Sequence, residues 1–74
     1  MKSISDALPE LVRSIERHIQ VRTFGRIRDL QVMLLGRSVV IRGVVPSYYT
    51  KQLALHGALD AIPEAPIVNE IQVA

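Results

Sequence analysis

Leu8, Leu11, Val12, Ile15 and Ile19 recur three and four residues apart, with Glu10, Arg13, Glu16 and Arg17 on the opposite side. That spacing predicts an amphipathic helix over about residues 6–20. Ser5 or Asp6 is placed to cap its start, and Pro9 would fall in the first turn, where a missing N–H costs least. Arg22, Thr23, Phe24 and Gly25 break the pattern and read as a connector. From there the period changes to two. Leu30, Val32 and Leu34 alternate with Gln31 and Met33, and Val39, Ile41 and Val45 alternate with Val40, Arg42 and Val44. Gly36-Arg37 lies between these strands at hairpin distance, where glycine supplies the positive φ of a tight turn.

Gly43 falls on the inward phase of the second strand, so either a bulge or the close approach of a helix is expected there. Pro46 ends the strand and Ser47 is a natural N-cap for a second helix over roughly Tyr48–Ile62. Ala54, Ala58, Ala61 and Ile62 give this helix a small-residue face beside Leu55. Such a face lets a helix lie close to a sheet, with Gly43 as the expected floor. Pro63 and Pro66 mark a loop, after which Ile67, Ile71 and Val73 alternate with Val68, Glu70 and Gln72 as a last strand. The order is helix, strand, strand, helix, strand. A hairpin is antiparallel and a helical crossover joins parallel strands, so the expected fold is α+β, a three-stranded mixed sheet with two helices on one face.

With 74 residues, the chain has room for a single domain spanning 1–74. Apolar residues make up 49% and charged residues 22%, a composition that folds. The absence of cysteine removes disulfides, thiolate zinc sites and thiol nucleophiles, and His18 and His56 lie too far apart in the chain to point to a metal. Charge is uneven. Arg13 to Lys51 carries +6, Gln52 to Ala74 carries −3 and the first twelve residues −1. A basic middle can steer an anionic partner, although an ordinary solubilising surface is the plainer reading. No stretch resembles a signal peptide or a membrane span, so the sequence as written reads as cytoplasmic.

Catalysis finds little footing. Asp29, Asp60, Glu64 and Glu70 form no pair by spacing, Ser47 reads as a cap, and His56 sits mid-helix without an acid partner. The four glycines are scattered singly, so there is no phosphate-cradling loop. We therefore expect neither an enzyme nor a cofactor nor a metal. Nucleic acid is a weaker alternative: Arg22, Arg26, Arg28, Arg37 and Arg42 offer phosphate contacts, but a GxxG clamp is missing and no aromatic residue lies in an expected strand. A membrane surface suits the residues better. Arg22, Arg26 and Arg28 surround Phe24, and Tyr48 and Tyr49 open the second helix; rings beside arginines fit a headgroup boundary. In the competing reading, Phe24 and one tyrosine plug the ends of a small core. A second surface is the outward phase of the sheet. Met33, Leu35, Val40 and Val44, flanked by Arg42, would form an exposed patch fit for self-association, a neighbouring domain or another protein.

Residues 27–73 resemble a BON domain, a small module first described in bacterial osmotic-stress and nodulation proteins. The resemblance rests on Leu30-Gln31-Val32, on Val39-Val40-Ile41-Arg42-Gly43-Val44-Val45, on Ser47 followed by Lys51, Ala54 and Ala58, and on Val68-Asn69-Glu70-Ile71-Gln72-Val73. It departs at the hairpin, where Gly36-Arg37 replaces the family's Asp-Gly or Asn-Gly, and before the last strand, where Ala65-Pro66-Ile67 replaces Gly-Val. The resemblance implies a non-enzymatic module of two helices on a three-stranded sheet that binds phospholipids or mediates contacts at membranes. Many such modules are exported to the bacterial periplasm. The shared motif is chiefly structural, so Gly43, Ala54, Ala58 and Asn69 are expected to serve the fold.

Overall fold

A computed structural model describes the backbone from Ile4 to Ala74 and the side chains from Pro9 onward. The elements are α1 (Ile4–Arg22), β1 (Arg28–Leu35), β2 (Ser38–Val45), α2 (Tyr48–Ala61) and β3 (Ile67–Val73). The sheet order is β1-β2-β3, with β1 antiparallel and β3 parallel to β2. The expected α+β architecture is therefore the observed one. No helix among the described residues is long and apolar enough to cross a membrane.

α1 runs two residues further at each end than its apolar spacing indicates. Ser5 and Asp6, expected as caps, lie within it, and their side chains fall outside the described residues. Pro9 is correspondingly inside the helix rather than in its first turn. At the far end Thr23 closes the helix. It is buried, and its hydroxyl donates to the Ile19 carbonyl at 2.8 Å. The Gly25 N–H donates to the Gln20 carbonyl (2.9 Å) and the Phe24 N–H to the Val21 carbonyl (3.2 Å). This paired closure places Phe24 in the left-handed conformation, φ 55°. A side chain there costs about 1–2 kcal/mol, because Cβ crowds the following carbonyl.

One extra residue in β1 sets the phase of the sheet. Arg28 pairs with Val44 and Gln31 with Arg42, so three steps along β1 match two along β2. Asp29, at φ 55°, lies in this bulge. Side chains otherwise alternate strictly, so the bulge lets Ile27 join the core face with Val32 while Arg28 shares the outer face with Val44. Gly43 is explained here: a Cβ on it would come within 2.9 Å of Ile27 Cγ1 and 3.1 Å of the Arg28 carbonyl oxygen. The bulge expected at this glycine lies in the facing strand β1 and not in β2 itself. In place of the helix expected on it, the close neighbours belong to the residues leading into β1.

The core consists of Ile15, Ile19, Ile27, Val32, Val39, Ile41, Val45, Ala54, Ala58 and Ile71, all buried. Ala54 and Ala58 sit on the small face of α2, as its spacing indicates, and that face packs chiefly on α1. Its closest point is Gly57, where an added Cβ would lie 2.8 Å from the His18 carbonyl oxygen and 2.8 Å from Ile19 Cα. At the start of α2, Ser47 is the expected N-cap, its Oγ accepting from the Thr50 N–H at 3.2 Å. On edge strand β3 the Asn69 side chain accepts from the Ile71 N–H at 3.1 Å, satisfying a main-chain donor.

Because the atoms facing Gly57 are main chain, they have no rotamer through which to yield. Gly57→Ala is expected to lower stability by about 1–3 kcal/mol, read as a shift of the urea midpoint at constant slope. An unchanged midpoint would show that the helices separate freely.

Candidate binding surface

Six residues were expected at a lipid-facing site, and the topology brings most of them to one end of the molecule. There the last turn of α1, the start of β1, the end of β2 and the first turn of α2 converge. Thr23, Phe24, Arg26, Tyr49, Thr50 and Leu53 line a cleft of about 320 Å3. Gly25, Arg26, Arg28, Val44, Val45, Pro46 and Ala74 line a second, of about 270 Å3. Arg26 borders both, so the aromatic cleft and the arginine cleft form one continuous surface. Tyr48 stands outside them on the first turn of α2.

Among the described residues the three aromatic side chains are also the most exposed large apolar groups: Phe24 is 81% exposed, Tyr48 74% and Tyr49 71%. The alternative in which Phe24 and one tyrosine plug the core is therefore wrong. The core closes without them because Ile27 enters it through the β1 bulge and Thr23 seals the end of α1. Ile27 falls between the connector and the first strand as periodicity defines them. Its apolar side chain before a strand of opposite parity is the one sign of it in the sequence.

Arg22 is placed elsewhere. Its guanidinium bonds the Asp60 carboxylate through Nε (2.7 Å) and Nη2 (2.6 Å) and borders a separate depression with Arg17, His18 and Val21. The hydrogen bond from Arg22 holds the Asp60 carboxyl below its ordinary value. Desolvation opposes this, and the charges of Arg22, His18 and His56 add to the lowering. Among the described residues, neither Arg26 nor Arg28 has a carboxylate at ion-pair distance. Their charges remain available to an external anion.

The outward face of the sheet carries Met33, Leu35, Val40, Arg42 and Val44 together, as expected, and adds Val68, whose outward phase on β3 was visible in the sequence. It is less open than its apolar content indicates. Met33 and Val68 flank Val40 from the two edge strands, and Val40 is buried rather than exposed. Met33 and Val44 are half-buried. Arg42 binds Glu70 across the next row at 2.6 Å. Leu35 and Val68 remain exposed, at 60% and 42%. Among the described residues no three His, Asp or Glu side chains are grouped to hold a metal ion. No protein-family model matches the chain, and searches of curated proteins and of solved structures return no match.

The Arg22–Asp60 pair has a pH signature of known sign. A carboxyl with a lowered folded-state value stabilises the fold above its unfolded value, and that contribution disappears as pH falls through the folded value. Asp60→Asn should therefore lower the melting temperature at about pH 6 and converge with wild type near about pH 2. Equal separation of the two curves at both pH values would mean that the pair is energetically silent.

Proposed function

We propose that this domain is a non-catalytic binding module that associates with anionic phospholipid surfaces through the end bearing Phe24, Arg26, Arg28, Tyr48 and Tyr49. One observation carries the reading: all three aromatic rings stand exposed at the same end as two arginines that lack acidic partners among the described residues. Burying aromatic area normally favours folding, so its consistent exposure calls for an external contact. Aromatic rings are suited to the boundary between acyl chains and headgroups, and arginine pairs with phosphate in a forked geometry. RNA-binding sheets of similar size stack bases on strand aromatics, whereas here every ring is at a helix end.

The resemblance to BON domains supports the same class of partner. The residues that carry it have structural tasks: Gly43 admits Ile27, Ala54 and Ala58 lie in the core, and Asn69 bonds the Ile71 amide. The proposed contact residues, apart from the tyrosines beside Ser47, lie outside those motifs or at their margins. Within this reading the motif specifies the scaffold, and the tip specifies the ligand.

Co-sedimentation with vesicles of phosphatidylglycerol and phosphatidylcholine tests the proposal. Binding should require the anionic lipid and weaken as salt rises, because exposed charge contacts are screened. Arg26→Glu with Arg28→Glu should reduce binding at least about tenfold, given roughly 1 kcal/mol per basic residue near the surface. Arg13→Glu with Arg37→Glu, an equal charge change on other parts of the surface, should leave most of the binding intact. Equal losses from both pairs would reduce the effect to net charge and defeat the site assignment. No vesicle binding at all would shift the function to a protein partner on the outer sheet face, where Leu35 and Val68 remain exposed.

A further inference from the structure

Phe24 is unfavourable for the folded state in two independent respects. Its backbone is left-handed, φ 55°, at the position closing α1 where glycine or asparagine is the residue of choice. Its ring nevertheless returns almost nothing by burial, being the most exposed of the large apolar side chains among the described residues. The turn itself depends on main-chain bonds from Phe24 and Gly25 to Val21 and Gln20, which any residue tolerating this φ would form. Nothing in the fold therefore calls for a phenyl ring here. Backbone strain that brings no packing in return tends to mark a functional position.

The surroundings identify what the ring does. It sits at the rim of the cleft shared with Tyr49 and Arg26, and Arg26 joins that cleft to Arg28. We infer that Phe24 is an apolar anchor that inserts beneath the headgroups of a lipid surface, while Arg26 and Arg28 remain at the phosphate level. This deepens the reading above and rests on it, dividing the contact into a salt-sensitive part carried by the arginines and a salt-insensitive part carried by one ring. An interfacial group of this kind reaches roughly 5–10 Å below the headgroup level, enough for a phenyl ring on an exposed turn. Such a ring has few rotamers to lose, and the closed turn already fixes its base.

Three variants test the anchor. Phe24→Gly relieves the strain and deletes the ring, so in the absence of lipid it should melt about 4–8 °C higher than wild type. On phosphatidylglycerol vesicles it should bind at least about tenfold more weakly, with the salt dependence unchanged. Phe24→Leu keeps an apolar group at the same backbone position and should bind within a few-fold of wild type. Phe24→Trp places the sole tryptophan in the chain, and its emission should shift blue on vesicles and be quenched by lipids brominated in the acyl chains. If wild type binds but Phe24→Gly binds equally well, or Phe24→Trp escapes acyl-chain quenching, the anchor is wrong and the headgroup reading survives. A lower melting temperature for Phe24→Gly would make the ring a folding residue and overturn the inference. Failure of wild type to bind any vesicle overturns both.

Discussion

At Gly57 the two helices meet main chain to main chain, with no room for a methyl group between α2 and the His18–Ile19 segment of α1. This contact fixes the spacing of the two helices. Among the described residues the fully buried apolar side chains between helices and sheet are isoleucine, valine and alanine, with Leu11, Leu30 and Leu34 packed at the margin, and Ala54 and Ala58 contribute single methyl groups. Packing at near-crystalline density leaves no site in such a core for a ring. Phe24, Tyr48 and Tyr49 stand outside this core, which Ile27 and Thr23 close at their end of the molecule. Aromatic side chains that the core cannot accept become available at the surface.

The second constraint is the extra residue in β1. Strict alternation would place Arg28 on the same face as Leu30 and Val32, a charge directed into the core. The bulge at Asp29 reverses the phase for the residues preceding it, so that Ile27 turns inward and Arg28 outward. Gly43 opposite makes the irregularity possible, because any side chain there would collide with Ile27 and the Arg28 carbonyl. One local deviation therefore completes the core at its lower edge and also delivers an arginine to the candidate surface. Structure and proposed function meet at the same bulge, which explains why a glycine interrupts an otherwise strongly β-forming strand.

Charge is handled differently on the two sides of the molecule. Asp60 and Glu70 engage Arg22 and Arg42, while Arg26 and Arg28 stay without acidic partners among the described residues. Exposed pairs of this type contribute little to stability. Their main effect is on the distribution of charge: they neutralise Arg22 and Arg42, whereas Arg26 and Arg28 at the aromatic end keep theirs.

Periodicity alone determined the element order, the faces of α2 and β2, the Ser47 cap and the mixed sheet, because side-chain direction repeats every 3.6 or 2 residues whatever lies nearby. It also singled out Phe24, Arg26, Arg28 and the two tyrosines, since runs of basic and aromatic residues are visible in any conformation. Only the tertiary structure decided which of them lie together. Arg22 is drawn away by Asp60, 38 residues distant in sequence. Val40 is covered by side chains from two other strands, and the close approach at Gly43 is made by a bulge in the facing strand and not by a helix. The physical reason is common to all three. Local pattern specifies where a side chain points relative to its own backbone, whereas burial and ion pairing depend on which distant segment arrives opposite it. That arrival is governed by close approaches at Gly57 and Gly43, where what matters is the absence of a side chain, a property that carries no periodic signal.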